Sequence, residues 1–186
     1  MGLSEGRVLS WDPIFREVQR FRQPWLWALL FFDSALIAAI FLSGMYTQLV
    51  LGQPWGDNPM SNETLLVMGG VLIFMSVALP LLFYCLKLVV EVKSDGVHIR
   101  FFPFVRRRIP FEEVKAFTPR VYNPLLEYGG WGIRWSPKRG WAYNVSGNRG
   151  VLLELVNGKR LMIGSQHPET LAEAIRVGMR MHRRID

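Results

Sequence analysis

Arg106-Arg107-Arg108 is the densest run of charge in a chain of 186 residues that carries 22 Lys/Arg against 15 Asp/Glu. Guanidinium groups donate to phosphate oxygens in a fixed fork. The chemistry on offer is anion binding, worth about 1 kcal/mol per cation beside an anionic bilayer. On a strand the three side chains alternate, so at most two share one surface. The plain alternative is an edge strand whose charges block sheet pairing. A second concentration is Tyr128–Trp135, YGGWGIRW, followed by Lys138, Arg139, Trp141 and Tyr143. Its glycines do not make a phosphate loop, because no Lys-Ser/Thr pair completes one. Trp131, Arg134, Trp135, Trp141, Lys138 and Arg139 are read instead as a candidate surface for a protein or lipid partner. Whichever of these aromatics face inward are core.

Catalysis finds little support. Ser136, Ser146 and Ser165 have no base nearby in sequence, and Glu112-Glu113 falls in a turn. The single cysteine, Cys85, rules out an internal disulfide framework. His98, His167 and His182 are too dispersed for a multi-histidine metal site. The expectation is a non-enzymatic protein with no metal and no cofactor.

Two long apolar stretches must position whatever binds. The first runs from Pro24 to about Leu51 and the second from Leu65 to Val90. Each exceeds the roughly 20 residues that cross a bilayer. The connector, residues 52–64, carries Asp57 and Glu63 and no Lys or Arg. Arg7, Arg16, Arg20 and Arg22 precede the first stretch, and Lys93, Arg100 and the arginine run follow the second. By the positive-inside rule both termini are cytoplasmic. Ala35, Ala39 and Ser43 recur every four residues, a spacing that lets helices approach closely. They are expected to pack on the chain's own second span, with self-association as the alternative. Asp33 lies about 13 Å past Pro24 at 1.5 Å per residue. An intramembrane charge is a functional hypothesis by default, but a pair with Lys87 explains it more simply. Ahead of the first span, Ser10–Arg22 places Trp11, Ile14, Phe15, Val18 and Phe21 at helical spacing, and Asp12-Pro13 reads as a helix start. This predicts an amphipathic helix, lying on the leaflet or docked on the chain's own cytoplasmic domain.

Beyond Leu88 the pattern turns to short strands. Ser94-Asp95-Gly96 and Asn157-Gly158 mark hairpins. Phe104–Ile109, Trp131–Trp135 and Trp141–Val145 read as further strands, with Asn123–Gly130 a loop. Pro168 opens a closing helix whose packing face is Leu171, Ile175, Gly178, Met179 and His182. About seven strands and one helix make a barrel or two-sheet sandwich plugged by the helix. Residues 91–186 hold 17 Lys/Arg and 9 Asp/Glu, a net of +8, which suits a surface facing an anionic leaflet.

That order is the pleckstrin-homology order, and residues 88–184 resemble bacterial pleckstrin-homology-like (PH-like) domains more closely than in order alone. EVKSDGVHIRFFPF…RRIPFEEVKAF resembles their opening, and GVLLELVNGKRLMIGSQHPETLAEAI their close. The resemblance implies a bacterial inner-membrane protein of α+β class. Residues 1–23 form its N-terminal segment, 24–90 a transmembrane helical hairpin, and 91–186 a cytoplasmic PH-like domain. It also implies a binding role rather than catalysis. Arg106, Arg107 and Arg108 would meet lipid headgroups, the aromatic surface would dock a protein or a second copy, and nucleic acid is not expected. The alternatives are a subunit held in a larger complex through its helices, or an oligomeric ion pathway using Asp33.

Overall fold

The computed structural model describes residues 13–184. Trp11 and Asp12 lie outside them. The chain forms two compact units, one from the residues up to Phe21 together with those from Leu86 onward, the other from Arg22–Cys85.

The second unit is helical. It comprises α1 (Pro24–Met45), a π-helical turn (Tyr46–Val50) and α2 (Asn62–Cys85). Both helices are long and apolar enough to cross a membrane. Their contact is not made by the small-residue stripe. Ala35, Ala39 and Ser43 are exposed, whereas Leu30 and Gly44 of α1 are buried. Gly44 leaves room for the indole of Trp55, which a Cβ there would meet at 2.6 Å. Asp33 is exposed on the helix surface.

Pro80 lies inside α2. Having no N–H, it leaves the carbonyl four residues earlier, that of Ser76, without its helical donor. The Ser34 hydroxyl of α1 donates to that carbonyl at 2.6 Å and also lies 2.7 Å from the Leu30 carbonyl, so one proton serves both. In apolar surroundings an unmet carbonyl is costly. Ser34→Ala is therefore expected to cost about 1 kcal/mol of helix association. The loss should shrink when Pro80→Ala restores the N–H, and a double-mutant cycle read by steric trapping checks it. Additive effects would disprove the link.

Among the described residues the other unit holds nine strands. Sheet A orders β1 (Phe15–Arg20), β2 (Lys87–Lys93), β3 (Gly96–Phe102) and β4 (Val105–Ile109) as β1-β2-β3-β4, all antiparallel. Sheet B orders β5 (Val114–Val121), β6 (Gly132–Ser136), β7 (Gly140–Asn144), β8 (Arg149–Leu155) and β9 (Arg160–Gly164) as β5-β8-β9-β7-β6, with β7 parallel to β9. The sheets do not close into a barrel. Leu88, Val90, Ile99 and Phe101 of sheet A are at most 2% exposed, as are Val151, Leu153, Leu161 and Ile163 of sheet B. Between these faces packs α4 (Pro168–His182), with Leu171 and Ile175 fully buried.

Two expectations are corrected here. The N-terminal amphipathic helix is a strand, β1, paired with β2 from Phe15↔Val92 to Arg20↔Lys87. Its buried side is Glu17, Gln19 and Phe21. Two polar residues on the inward face broke the alternation that announces a strand, while the apolar ones happened to fall at helical spacing. The end of β9 and the turn after it meet the Glu17 carboxylate and the Gln19 amide nitrogen. Glu17 accepts from Ser165 Oγ (2.5 Å) and the Gln166 N–H (2.8 Å), and Gln19 Nε2 donates to the Gly164 carbonyl (2.8 Å). Second, the apolar run to Val90 is not helix throughout. α2 ends at Cys85, and Leu88 and Val90 are apolar because they line the sheet core. Asn123–Gly130 also holds a short helix, α3 (Pro124–Tyr128). The Asn123 side chain accepts from the N–H groups of Leu125 and Leu126, and Gly129 ends the helix at φ 74°.

Candidate functional site

The register of sheet A decides where its charges go. Across from the buried side, β1 presents Arg16 and Arg20, β2 Lys87 and Lys93, β3 Arg100, and β4 Arg106 and Arg108. The carboxylate at the centre of this face is Glu91, 7% exposed at its side chain. It meets Arg100 at 2.8 Å, Arg16 at 3.1 Å and Lys93 at 3.4 Å. Glu91 holds the cations apart at fixed positions and leaves the face strongly positive. A cavity of about 290 Å³ opens on it, lined by Arg16, Lys87, Arg100 and Arg106 with Phe102 and Pro103. Phe102 and Phe104, at the β3–β4 tip, are 46% and 61% exposed, and the Lys87 ammonium lies 5.3 Å from the Phe102 ring centroid.

Lys87, expected beside Asp33 at the end of the second span, is thus a residue of β2 and of this face. Among the described residues no ion pair includes Asp33. Arg106 and Arg108 share the outward face, as strand alternation requires, and Arg107 points the other way. It lines a second cavity, of about 550 Å³, with Trp135, Lys138, Arg139, Trp141, Lys159 and Arg160. Four of the six residues expected as a partner surface meet there. Trp131 and Arg134 do not: Trp131 Nε1 donates to the Gly147 carbonyl and Arg134 Nε to the Trp131 carbonyl, both at 2.9 Å.

Other polar groups pair within the β unit. Asn144, fully buried, donates to the Tyr122 hydroxyl at 2.9 Å and accepts from the Gly132 N–H at 2.8 Å. Burial, outweighing that hydrogen bond, raises the Tyr122 pKa. Glu112 pairs with His182. Among the described residues no three His, Cys, Asp or Glu side chains cluster as metal ligands would.

Asp95, at the β2–β3 turn, is hydrogen-bonded to His98 (2.8 Å) and paired with Arg108 (2.9 Å). Burial alone would raise its pKa. The hydrogen bond and charge of His98, with the charge of Arg108, outweigh that and hold it below its ordinary value. A carboxyl depressed in the folded state adds stability above its unfolded pKa, about 3.9, and loses it as pH falls through the folded value. Asp95→Asn is expected to flatten part of the fall in melting temperature below about pH 4. An unchanged slope in a pH series of thermal melts would contradict this.

Residues 10–181 match a family of unknown function, DUF6141. The chain belongs to this family. No curated protein matches it. The matched stretch takes in β1, both helices and α4, so the two units occur together within the DUF6141 pattern.

Sequence reasoning had not joined Arg16, Lys87 and Arg100 to the arginine run, because they are brought together by cross-strand register rather than by proximity in the chain. Lys159 and Arg160 were missed for the same reason, although a basic pair directly after a turn glycine was a usable signal.

Proposed function

We propose that this DUF6141 member is a membrane-anchored docking protein without catalytic activity. In this reading its helical hairpin spans the bacterial inner membrane, and its β unit is a cytoplasmic PH-like domain that rests its basic face on anionic headgroups. Setting aside the β6–β7 hairpin leaves seven strands followed by one helix, the pleckstrin-homology order. Strand β1 precedes α1, β2 follows α2, and the two strands pair over six residues. The two ends of the hairpin therefore lie on one side of any bilayer it crosses, and the flanking arginines favour the cytoplasmic side.

One observation carries the headgroup reading. The register aligns Arg20, Lys87 and Phe102 at one end of sheet A, and Arg20 and Lys87 are the strand residues from which the chain runs into the apolar helices. Only residues 21–23 separate β1 from α1, and residue 86 alone separates α2 from β2. At about 3.5 Å per residue these tethers are too short to let that end leave the bilayer surface. Cations and two exposed phenylalanines at this end suit the interface, where aromatic rings sit at headgroup level and each basic residue adds about 1 kcal/mol.

The test is hydrogen exchange on the full chain in nanodiscs. Amides around the β3–β4 tip should exchange more slowly in discs containing phosphatidylglycerol than in phosphatidylcholine discs. Arg100→Glu with Arg106→Glu should abolish the difference. Equal exchange in the two lipids would sink the reading. A subunit held through its helices is the second reading, favoured by the exposure of Ala35, Ala39 and Ser43. A stoichiometric membrane complex on native purification would support it.

A further inference from the structure

The 550 Å³ cavity lies where the structure is open. Arg107 comes from β4, an edge of sheet A, and Trp135 from β6, an edge of sheet B. The β6–β7 hairpin that builds most of it is the part of the domain outside the seven-strand-and-helix order.

Five cations converge there from three separate segments: Arg107 on β4, Lys138 and Arg139 on the β6–β7 turn, and Lys159 with Arg160 where the β8–β9 connection enters β9. Two are neutralised. Arg139 pairs with Glu127 at 2.7 Å, and Arg160 with Glu154 at 3.4 Å. Among the described residues no carboxylate pairs with Arg107, Lys138 or Lys159. Three uncompensated cations facing one small space repel one another and concentrate anions. The two turns are also locked together. Gly140, at φ 78°, brings its backbone against the Arg160 carbonyl so closely that a Cβ would overlap it. The backbone of the two turns that carry these cations is therefore held in place before any ligand arrives.

The apolar part of the wall is equally specific. Trp135 and Trp141 face each other across the strand pair and are 58% and 41% exposed. Trp141 is kept in orientation by stacking on buried Tyr143, with ring centroids 6.4 Å apart and planes 6° apart. Indole faces beside cations accept a planar ring by stacking.

We propose that this groove binds a phosphorylated molecule with a planar ring, of the nucleotide class. Size and charge spacing select it. The volume lies within the roughly 300–1,000 Å³ range of small-molecule sites. An extended acidic peptide carries same-face carboxylates about 7 Å apart, so this space takes about two. A di- or triphosphate brings three or more charges to the same place. A neutral aromatic ligand would leave the cations unmatched, and inorganic phosphate would leave the indoles uncovered. The site is separate from the basic face of sheet A and does not depend on the headgroup reading.

The test is calorimetric titration of the full chain in phosphatidylcholine nanodiscs with ATP, GTP, inorganic triphosphate, adenosine and hexaglutamate. One or both nucleotides should saturate, triphosphate should bind about tenfold more weakly, and adenosine and hexaglutamate should not saturate below about 1 mM. Trp135→Ala should weaken nucleotide about tenfold and leave triphosphate unchanged. Lys138→Ala and Lys159→Ala should weaken both ligands, again about tenfold each. These are exposed positions, and unchanged melting temperatures establish that the variants fold. Arg100→Glu, on the other face, should not alter nucleotide affinity. Failure of both nucleotides to saturate, equal affinity for nucleotide and triphosphate, or indifference to Trp135→Ala each overturns the proposal. Preferential binding of hexaglutamate also overturns it and makes the groove a peptide site.

Discussion

A chain in which Asn-Gly replaces Arg22–Cys85 is expected to fold as a detergent-free β domain. The reason is the pairing of β1 with β2. Arg20 lies opposite Lys87, so Phe21 and Leu86 come next, and both are buried at 7% exposure. Topologically the helical unit is an insertion at the tip of an antiparallel hairpin. A two-residue Asn-Gly turn suits the twist of such strands and would close it directly. The shortened protein should melt cooperatively and show the circular dichroism of sheets with one helix. It should bind phosphatidylglycerol vesicles in a salt-sensitive way and ignore phosphatidylcholine vesicles. A product that aggregates or shows no cooperative transition would mean that the β unit needs its helices to fold. A folded product blind to anionic vesicles would separate the fold from the headgroup reading and remove the latter.

Gly150→Ala is expected to be among the most damaging single methyls in the β unit. Gly150 pairs with Gly164 on neighbouring strands, and its Cβ would overlap the Ile163 carbonyl oxygen, with Gly164 Cα only 3.1 Å away. The obstruction is backbone within a hydrogen-bonded ladder, so no flexible side-chain end can yield. Overpacking of this kind costs about 3 kcal/mol or more. Gly158→Ala is the control. Gly158 sits at φ 78° with open space around its missing Cβ, so only the left-handed backbone opposes the change, at about 1 kcal/mol. Denaturant titration should separate the two by at least about 2 kcal/mol. Similar midpoints would show that β8 and β9 can part without penalty.

The architecture was largely legible in the sequence wherever a local rule governed it. Apolar length announced both helices, and Asn157-Gly158 and Ser94-Asp95-Gly96 marked hairpins that the structure contains. Leu171, Ile175 and Gly178 fall on the buried side of α4, as their spacing required. What failed was non-local. Glu17 and Gln19 are buried against a distant turn that bonds the Glu17 carboxylate and the Gln19 amide nitrogen, and nothing within residues 10–22 carries that information. The small-residue stripe of Ala35, Ala39 and Ser43 obeyed a packing rule, but Ser34 bonds α2, at the carbonyl that Pro80 left in need of a donor, and Gly44 packs on Trp55 of the connector. In the candidate site, alternation separated Arg107 from its neighbours as expected. The convergence of Arg16, Lys87 and Arg100 on Arg106 depended on register across four strands, which a one-residue slip would have reversed.

The insertion of the helices between β1 and β2 also sets an order of events during synthesis. β1 leaves the ribosome first, and its pairing edge stays empty until the whole helical unit and then β2 have followed. At about 5–20 residues per second, that gap lasts several seconds. During it Glu17 and Gln19 have no turn to satisfy them, because Gly164–Gln166 are made later still. In the proposed membrane topology, a chain in which one helix crosses and the other does not leaves β1 and β2 on opposite sides of the bilayer and the domain without its edge strand. Completion of sheet A is in this sense a parity check on that topology: β1 and β2 meet only when the two helices have crossed together.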